Sequence, residues 1–329
     1  MNIAFFVRHF TERGTEVAIY DYAKYNEEIL KNKSYIISFT PETQRKLNIP
    51  TERDSYEKFS QRFETLQIQD MADMANIVKQ YNLSFFYTLT GGGANDTCQL
   101  DNKAIWGNCK TIKHCVFETT SPEGDFYISI SSMLNTKNKT YIPVIPHIVH
   151  LPNTEENLRS QLNIPKDAIV YGRYGGLYEF NIEYAHSAIK EHIEADENCY
   201  FLFMNTLRFY QHPRIIYLEK NVDLLYKSKF INTCDVMIHA RSMGETFGLS
   251  IAEFSIKNKP VITCKCGDLE HIKILGDKAI IYKSKEELLQ IFKSIRGTIQ
   301  SRTDWNAHKL YTPEFVMNIF KRYIFDMGV

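Results

Sequence analysis

No apolar run in the 329 residues is long enough to cross a bilayer, so a membrane-spanning helix is not expected. Residues 1–7 lack a basic leader and a small-residue cleavage site, and they read as a strand rather than a signal peptide. Net charge is also missing. Lys and Arg total 39 against 39 Asp and Glu, and the lysines are spread out, so bulk electrostatics gives no reason to expect a nucleic-acid partner. The seven cysteines form no repeating frame. Cys264 and Cys266, the one close pair, have a spacing that suits neither a zinc knuckle nor a redox C-x-x-C, so reduced thiols in a cytoplasmic setting are expected. Neither an internal repeat nor a low-complexity tract is found. What remains is a length suited to about two domains and a 44% apolar content sufficient for two cores.

The patterning alternates strand and helix twice over. In the first half, residues 2–7 form an apolar strand, residues 8–13 a polar loop, and Gly14-Thr15 lead into a helix reaching Ile29. This opening is Rossmann-like, but its loop lacks the three glycines of a dinucleotide fingerprint, which argues against a nicotinamide cofactor. A strand at 35–39 precedes a charged, weakly periodic stretch to about Gln67. A helix is expected over 70–81, a strand over 83–89, then the run Gly91-Gly92-Gly93-Ala94-Asn95-Asp96. Further strands are expected over 110–117 and 139–147, with a helix over 126–134 between them. Pro146, Pro152 and Pro165 bracket an interdomain connection, with a short helix opening near Asn153. The second half restarts with a strand over 168–173, the Gly175-Gly176 loop and a helix over 182–195. Strands follow at 200–204, 215–218, 236–239 and 260–263, and helices at 249–257 and 286–296. A last helix begins at Thr312-Pro313 and ends near Phe325. The expected class is therefore α/β with parallel sheets.

The most informative stretch is Gly-Glu-Thr-Phe-Gly-Leu-Ser-Ile-Ala-Glu, which sets Glu245 and Glu253 eight positions apart. Glu245 lies in a glycine-flanked loop and Glu253 in the first turns of the following helix. A helix N-terminus offers unpaired N–H groups and partial positive charge, which suit phosphate. Carboxylates beside it accept hydrogen bonds from hydroxyls. Phosphate and polyol together describe a nucleotide sugar. Two solvated helix charges are the plainer alternative.

This stretch resembles the E-x7-E signature of retaining glycosyltransferases with the GT-B fold, of the family 4 or group 1 type. The likeness is strongest over 239–263, extends to 168–182 and 110–135, and is thin over 40–105. It implies two Rossmann-like domains whose sheets face a central cleft. Residues 1–150 would bind the acceptor and 151–311 the nucleotide-sugar donor, while 312–329 would form a helix crossing back onto the first domain. Glu245 would hold the sugar hydroxyls and Glu253 the ribose. Arg173, Gly175, Gly176 and the amides of Thr246, Phe247, Gly248 and Leu249 would meet the diphosphate, with Asn205 near the nucleoside and Arg241 a weaker phosphate candidate. Family enzymes carry a lysine a few residues beyond the arginine, whereas this chain has Tyr178-Glu179-Phe180-Asn181. Arg173 could instead pair with Glu179.

His114, inside an apolar run, would touch the sugar as a second catalytic group, or it is a satisfied core histidine. Gly14, Thr15 and Gly92 would line the acceptor or diphosphate loops, with an ordinary helix start as the alternative for the first two. The chain holds no Asp-x-Asp, through which the other large glycosyltransferase fold binds a metal, so no metal or other cofactor is expected. The implied activity is retaining transfer of a hexose or pentose to a glycan or lipid-linked acceptor by front-face attack, as part of glycan biosynthesis. Peripheral membrane contact is compatible with a lipid-linked acceptor. A sugar-nucleotide 2-epimerase of the same fold and a catalytically silent nucleotide-sugar binding protein are the alternatives.

Overall fold

The computed structural model describes residues 1–11, 13–94 and 98–326; Glu12 of the first loop and Asn95 and Asp96 of the glycine-rich run lie outside the described residues. The chain divides into two compact units, one of residues 1–148 together with the segment from Tyr311 onward, the other Val149–Leu310.

The first unit is built on β1 (Asn2–Phe6), β2 (Lys33–Phe39), β3 (Glu64–Ile68), β4 (Phe85–Thr90), β5 (Lys110–Cys115) and β6 (Phe126–Ser129), paired in the order β3-β2-β1-β4-β5-β6. All the pairings are parallel. A parallel sheet needs helices on its faces, so its central strands carry continuous apolar runs. Ile3, Ala4, Phe5 and Phe86 are accordingly fully buried. The terminal helix Pro313–Lys321 belongs to this unit, as the resemblance implied. It is capped by Thr312 Oγ1, which accepts from Phe315 N at 3.3 Å, and it sets Phe320 against Tyr22 with ring centroids 5.5 Å apart.

The second unit repeats the plan. Its strands are β7 (Ile169–Tyr174), β8 (Cys199–Met204), β9 (Ile215–Leu218), β10 (Val236–His239), β12 (Val261–Cys264) and β14 (Ala279–Tyr282), in the order β14-β12-β10-β7-β8-β9. The short pair β11 (Gly244–Glu245) and β13 (Asp268–Leu269) stands apart from the sheet. Counted within each unit, both sheets have the same 3-2-1-4-5-6 order. Chain direction across each sheet therefore reverses between the first and fourth strands, and the crevice outside their carboxyl ends is where such sheets take ligands. In the first unit that point lies between β1 and β4, in the second between β7 and β10.

Several expectations need correction. The weakly periodic stretch contains the helix Arg53–Arg62 and edge strand β3, in which only Ile68 is buried. Its apolar alternation is only Leu66 and Ile68, too short to mark an otherwise polar edge strand. Residues 126–134, read as a helix, supply β6 before the helix Ser132–Asn138 begins. Residues 139–147 are irregular rather than a strand, and pair with the sheet through a bridge between Ser129 and Val144. No helix forms at Asn153.

Candidate functional site

The second unit's crevice is assembled from strand ends. Arg173 is the fifth residue of β7, and the β7–β8 ladder continues one residue past it, to Tyr174 opposite Met204. Its side chain is buried, yet no carboxylate reaches it. Nη1 donates to the Asn205 carbonyl at 3.1 Å and to Thr206 Oγ1 at 2.6 Å, and Nη2 to the Gly176 carbonyl at 2.9 Å. A guanidinium carries five N–H groups, so the Nε–H and one Nη2–H keep no partner among the described residues. Burial pulls the guanidinium down to about 10, with the charges of Glu179 and Glu245 pulling it back, so it stays cationic at neutral pH.

Glu179 does not pair with Arg173. It accepts from Gly176 N at 3.2 Å and lies 3.1 Å from Arg241. The Gly176 amide, expected for a diphosphate, is thereby turned onto Glu179. Asn205, in left-handed backbone at φ 49°, donates its side-chain amide to the Gly175 carbonyl at 2.8 Å and so ties the end of β8 to the glycine loop.

Glu245 lies just beyond β10. Its Oε2 accepts from Arg241 Nη1 at 2.8 Å and its Oε1 faces His239 Nε2 at 3.3 Å. Burial pushes this carboxyl up, but the His239 hydrogen bond and the positive charge of Arg241 outweigh it and hold it below the ordinary carboxylate range. Gly244 sets the aim. At φ 65°, a Cβ there would sit 2.1 Å from the Asp268 carbonyl oxygen, so only glycine lets β11 close on β13. Gly248, at φ 87°, opens the helix Leu249–Ile256 without any side-chain cap. Thr246 and Phe247 are buried, the latter's ring edge-on to His308.

Glu253, on that helix, is 4% exposed and already neutralised. Lys227 Nζ donates to Oε1 at 3.0 Å and Oε2 at 3.3 Å, and the Tyr174 hydroxyl donates to Oε2. Oε1 retains one acceptor position. Lys227 and Tyr174 were not singled out from sequence. Lys227 is 26 residues from its partner, on the helix Leu224–Thr233, and no local pattern announces it.

The first unit's candidates divide. Gly14, Thr15 and Gly92 all stand at the β1/β4 crevice, but their local geometry has structural causes. Gly14 begins the helix Gly14–Glu28. The Thr15 hydroxyl donates to buried Glu16 at 2.9 Å. A Cβ on Gly92 would fall 1.8 Å from the Glu118 carbonyl oxygen.

His114, expected to face a sugar from a strand end, is instead enclosed. It is 0% exposed, its Nδ1 bonds the Tyr87 hydroxyl at 2.8 Å, and Tyr22 and Tyr87 pack edge-on to its ring. The apolar run that carries it is the core strand β5. Burial pulls both His114 and neighbouring His147 down to about 3. In the unfolded chain both titrate near 6.5. Below that value the unfolded state takes up protons that the folded state refuses, so stability falls as pH falls from 6.5 toward 3. Urea unfolding of the wild type between pH 7 and 5 is expected to show a loss of about 2 kcal/mol per buried histidine. A His114→Phe variant should flatten this slope; an unchanged slope would remove His114 from the account.

Among the described residues, one set could hold a metal: His192, Asp196 and Cys199, whose donor atoms lie within 4.8 Å of one another. It stands at the start of β8, the opposite end of the sheet from Arg173. Arg214 donates to the Cys199 carbonyl there at 3.3 Å, and burial pushes the Cys199 thiol up to about 12, which keeps its proton on. No described helix is long and apolar enough to cross a membrane.

No protein-family model matches the chain, and no curated protein matches it in sequence. Solved structures do resemble it. Anabaena HepE in complex with UDP-glucose aligns over 100% of this chain and 99% of its own, at 15% identity and a TM-score of 0.67. A glycosyltransferase from Rickettsia africae aligns over 97% and 98%, at 17% identity and a TM-score of 0.62. A putative UDP-N-acetylglucosamine 2-epimerase from Listeria monocytogenes aligns over 99% and 97%, at 14% identity and a TM-score of 0.61. With two parallel Rossmann-like sheets and the returning terminal helix, the chain has the GT-B fold.

Proposed function

We propose that the protein is a retaining glycosyltransferase that moves a sugar from a nucleoside diphosphate donor to a hydroxyl acceptor. The observation that carries this reading is the pairing of spare cationic donors with an ionised carboxylate at one crevice. Arg173 keeps two N–H groups unengaged, Glu245 is held ionised nearby, and the helix beside them begins uncapped. Departure of the diphosphate builds negative charge on its oxygens. The Arg173 edge and the amides of Thr246 to Leu249 meet that charge with donors already oriented, which is how a preorganised site lowers a barrier. Each Glu245 oxygen has one internal partner and one acceptor position left for a sugar hydroxyl. The remaining position on Glu253 Oε1 suits a ribose hydroxyl, with Lys227 balancing the buried charge. The missing second cation of the diphosphate site is made up by the helix amides rather than by Lys227, which Glu253 engages. His114, fully buried on β5, is assigned no contact with the sugar in this reading. Metal-independence belongs to this proposal.

HepE, which is similar in fold, was solved with UDP-glucose, so uridine diphosphate sugars are the first donors to try. The test is a thermal-shift panel of nucleoside diphosphate sugars, followed by transfer to glycan and lipid-linked acceptors with and without chelator. NMR of the product should show the donor's anomeric configuration retained. An inverted product would refute retention, and absence of binding across the panel would sink the reading altogether. A second reading, 2-epimerisation of the donor itself, is favoured by the fold likeness to two proteins described as UDP-N-acetylglucosamine 2-epimerases. Conversion of the donor with no acceptor present would select it.

A further inference from the structure

We propose that a buried hydrogen-bond relay, His271 to Thr263 to His239, positions Glu245 for the reaction, with His239 as the residue that fixes the carboxylate's plane and charge. This rests on the role given to Glu245 above. The three groups come from three elements: His239 ends β10, Thr263 lies on β12, and His271 is on the helix Glu270–Leu275 that follows β13. All are buried. His239 Nδ1 lies 2.8 Å from Thr263 Oγ1, and that oxygen lies 3.0 Å from His271 Nε2. His239 Nε2 completes the line to Glu245.

The polarity of the relay follows from the chemistry of its ends. An ionised carboxylate only accepts, so the proton between it and His239 sits on Nε2. A neutral imidazole protonated there has an accepting Nδ1. The Thr263 hydroxyl must then donate to it, and the hydroxyl oxygen in turn accepts from His271 Nε2–H. The Thr263 proton is thereby turned onto His239 Nδ1 rather than the Cys264 carbonyl 3.4 Å away, and the three donors point toward Glu245. Burial draws His271 down to about 3, consistent with a neutral ring at the head of the line. The Tyr282 hydroxyl donates to the His239 carbonyl at 2.9 Å, fixing the backbone from which the ring projects.

The carboxylate is thus gripped from two directions, by Arg241 at one oxygen and by the sheet interior at the other. Arg241 is shared with Glu179, so His239 is the partner committed to Glu245 alone. A hydrogen bond to a charged group that aims a reacting side chain is felt in turnover more than in binding.

The test combines a spectroscopic and a kinetic arm. In protein labelled with 15N-histidine, His239 should show the Nε2–H neutral tautomer without any ligand; an Nδ1–H tautomer or an imidazolium would overturn the relay. His239→Leu should lower kcat about 10- to 100-fold while leaving the donor KM within about threefold. His239→Gln, whose amide can still donate to Glu245, should recover most of the loss, and Thr263→Ser should behave as wild type. Loss of kcat to the same depth in the Leu and Gln variants, both folded by circular dichroism, would reduce His239 to a packing residue and refute the proposal. Should the wild type transfer no sugar, the functional reading falls, while the tautomer still decides the relay.

Discussion

Glu245→Ala is expected to lower sugar transfer by about 10²- to 10³-fold, the usual loss when a preorganised electrostatic partner is removed from a reacting centre. Binding of the bare nucleoside diphosphate should change little, because Glu245 is assigned to the sugar. The fold should survive, since Arg241 retains Glu179 at 3.1 Å and no buried cation is orphaned. Glu245→Gln sharpens the result. It keeps the shape and one accepting oxygen but removes the charge, so a loss nearly as deep as that of the alanine variant identifies charge as the contribution. Because the carboxyl is held below its ordinary range, activity carried by it should persist on acidification past the point where a free carboxylate would protonate. Initial rates at saturating donor, paired with calorimetry on the nucleoside diphosphate, separate these effects. Turnover of the alanine variant within threefold of wild type would end the assignment.

The two parallel sheets were legible in the sequence because central strands of a doubly covered sheet are continuous apolar runs, as at 2–7, 200–204 and 236–239. The glutamates were legible because loop and helix hold them in one short segment. What escaped was whatever depends on distant chain segments meeting. Edge strand β3 turns only Leu66 and Ile68 to the core, an alternation too short to reveal it. His114 sat in a run whose apolar character was itself the sign of enclosure, and the family likeness pulled its reading toward a surface. Lys227 and Thr263 carry no local signature, since a lysine on a helix or a threonine in a strand acquires meaning only from what folds against it. Arg173 was found, but its environment was not. The carbonyls and hydroxyl that hold it come from the Gly176 and Asn205-Thr206 loops, and Glu179, six residues on, turns to Arg241 instead.

Glu253→Ala is expected to cost about 3 to 5 kcal/mol of stability, because it strands the Lys227 ammonium in a buried site where, among the described residues, the Tyr174 ring 5.2 Å away is its remaining company. A stability loss alone says nothing of function, since any buried ion pair broken from one side behaves this way. The double variant Glu253→Met with Lys227→Met separates the two. Replacing both members of a buried pair by apolar side chains of similar length is often neutral or stabilising, so thermal unfolding should return close to wild type. Affinity for the nucleoside diphosphate should not return. The ribose would lose a hydrogen bond to a charged oxygen, worth about 1.5 to 3 kcal/mol, or roughly a 10- to 150-fold rise in Kd. The Tyr174 hydroxyl, which keeps its proton because burial and the Glu253 charge raise its pKa well above the ordinary value, would also lose its acceptor, so Tyr174→Phe belongs in the same background. A stable triple variant that binds the nucleotide as tightly as wild type would show that the pair serves the fold alone, and would move the ribose away from Glu253.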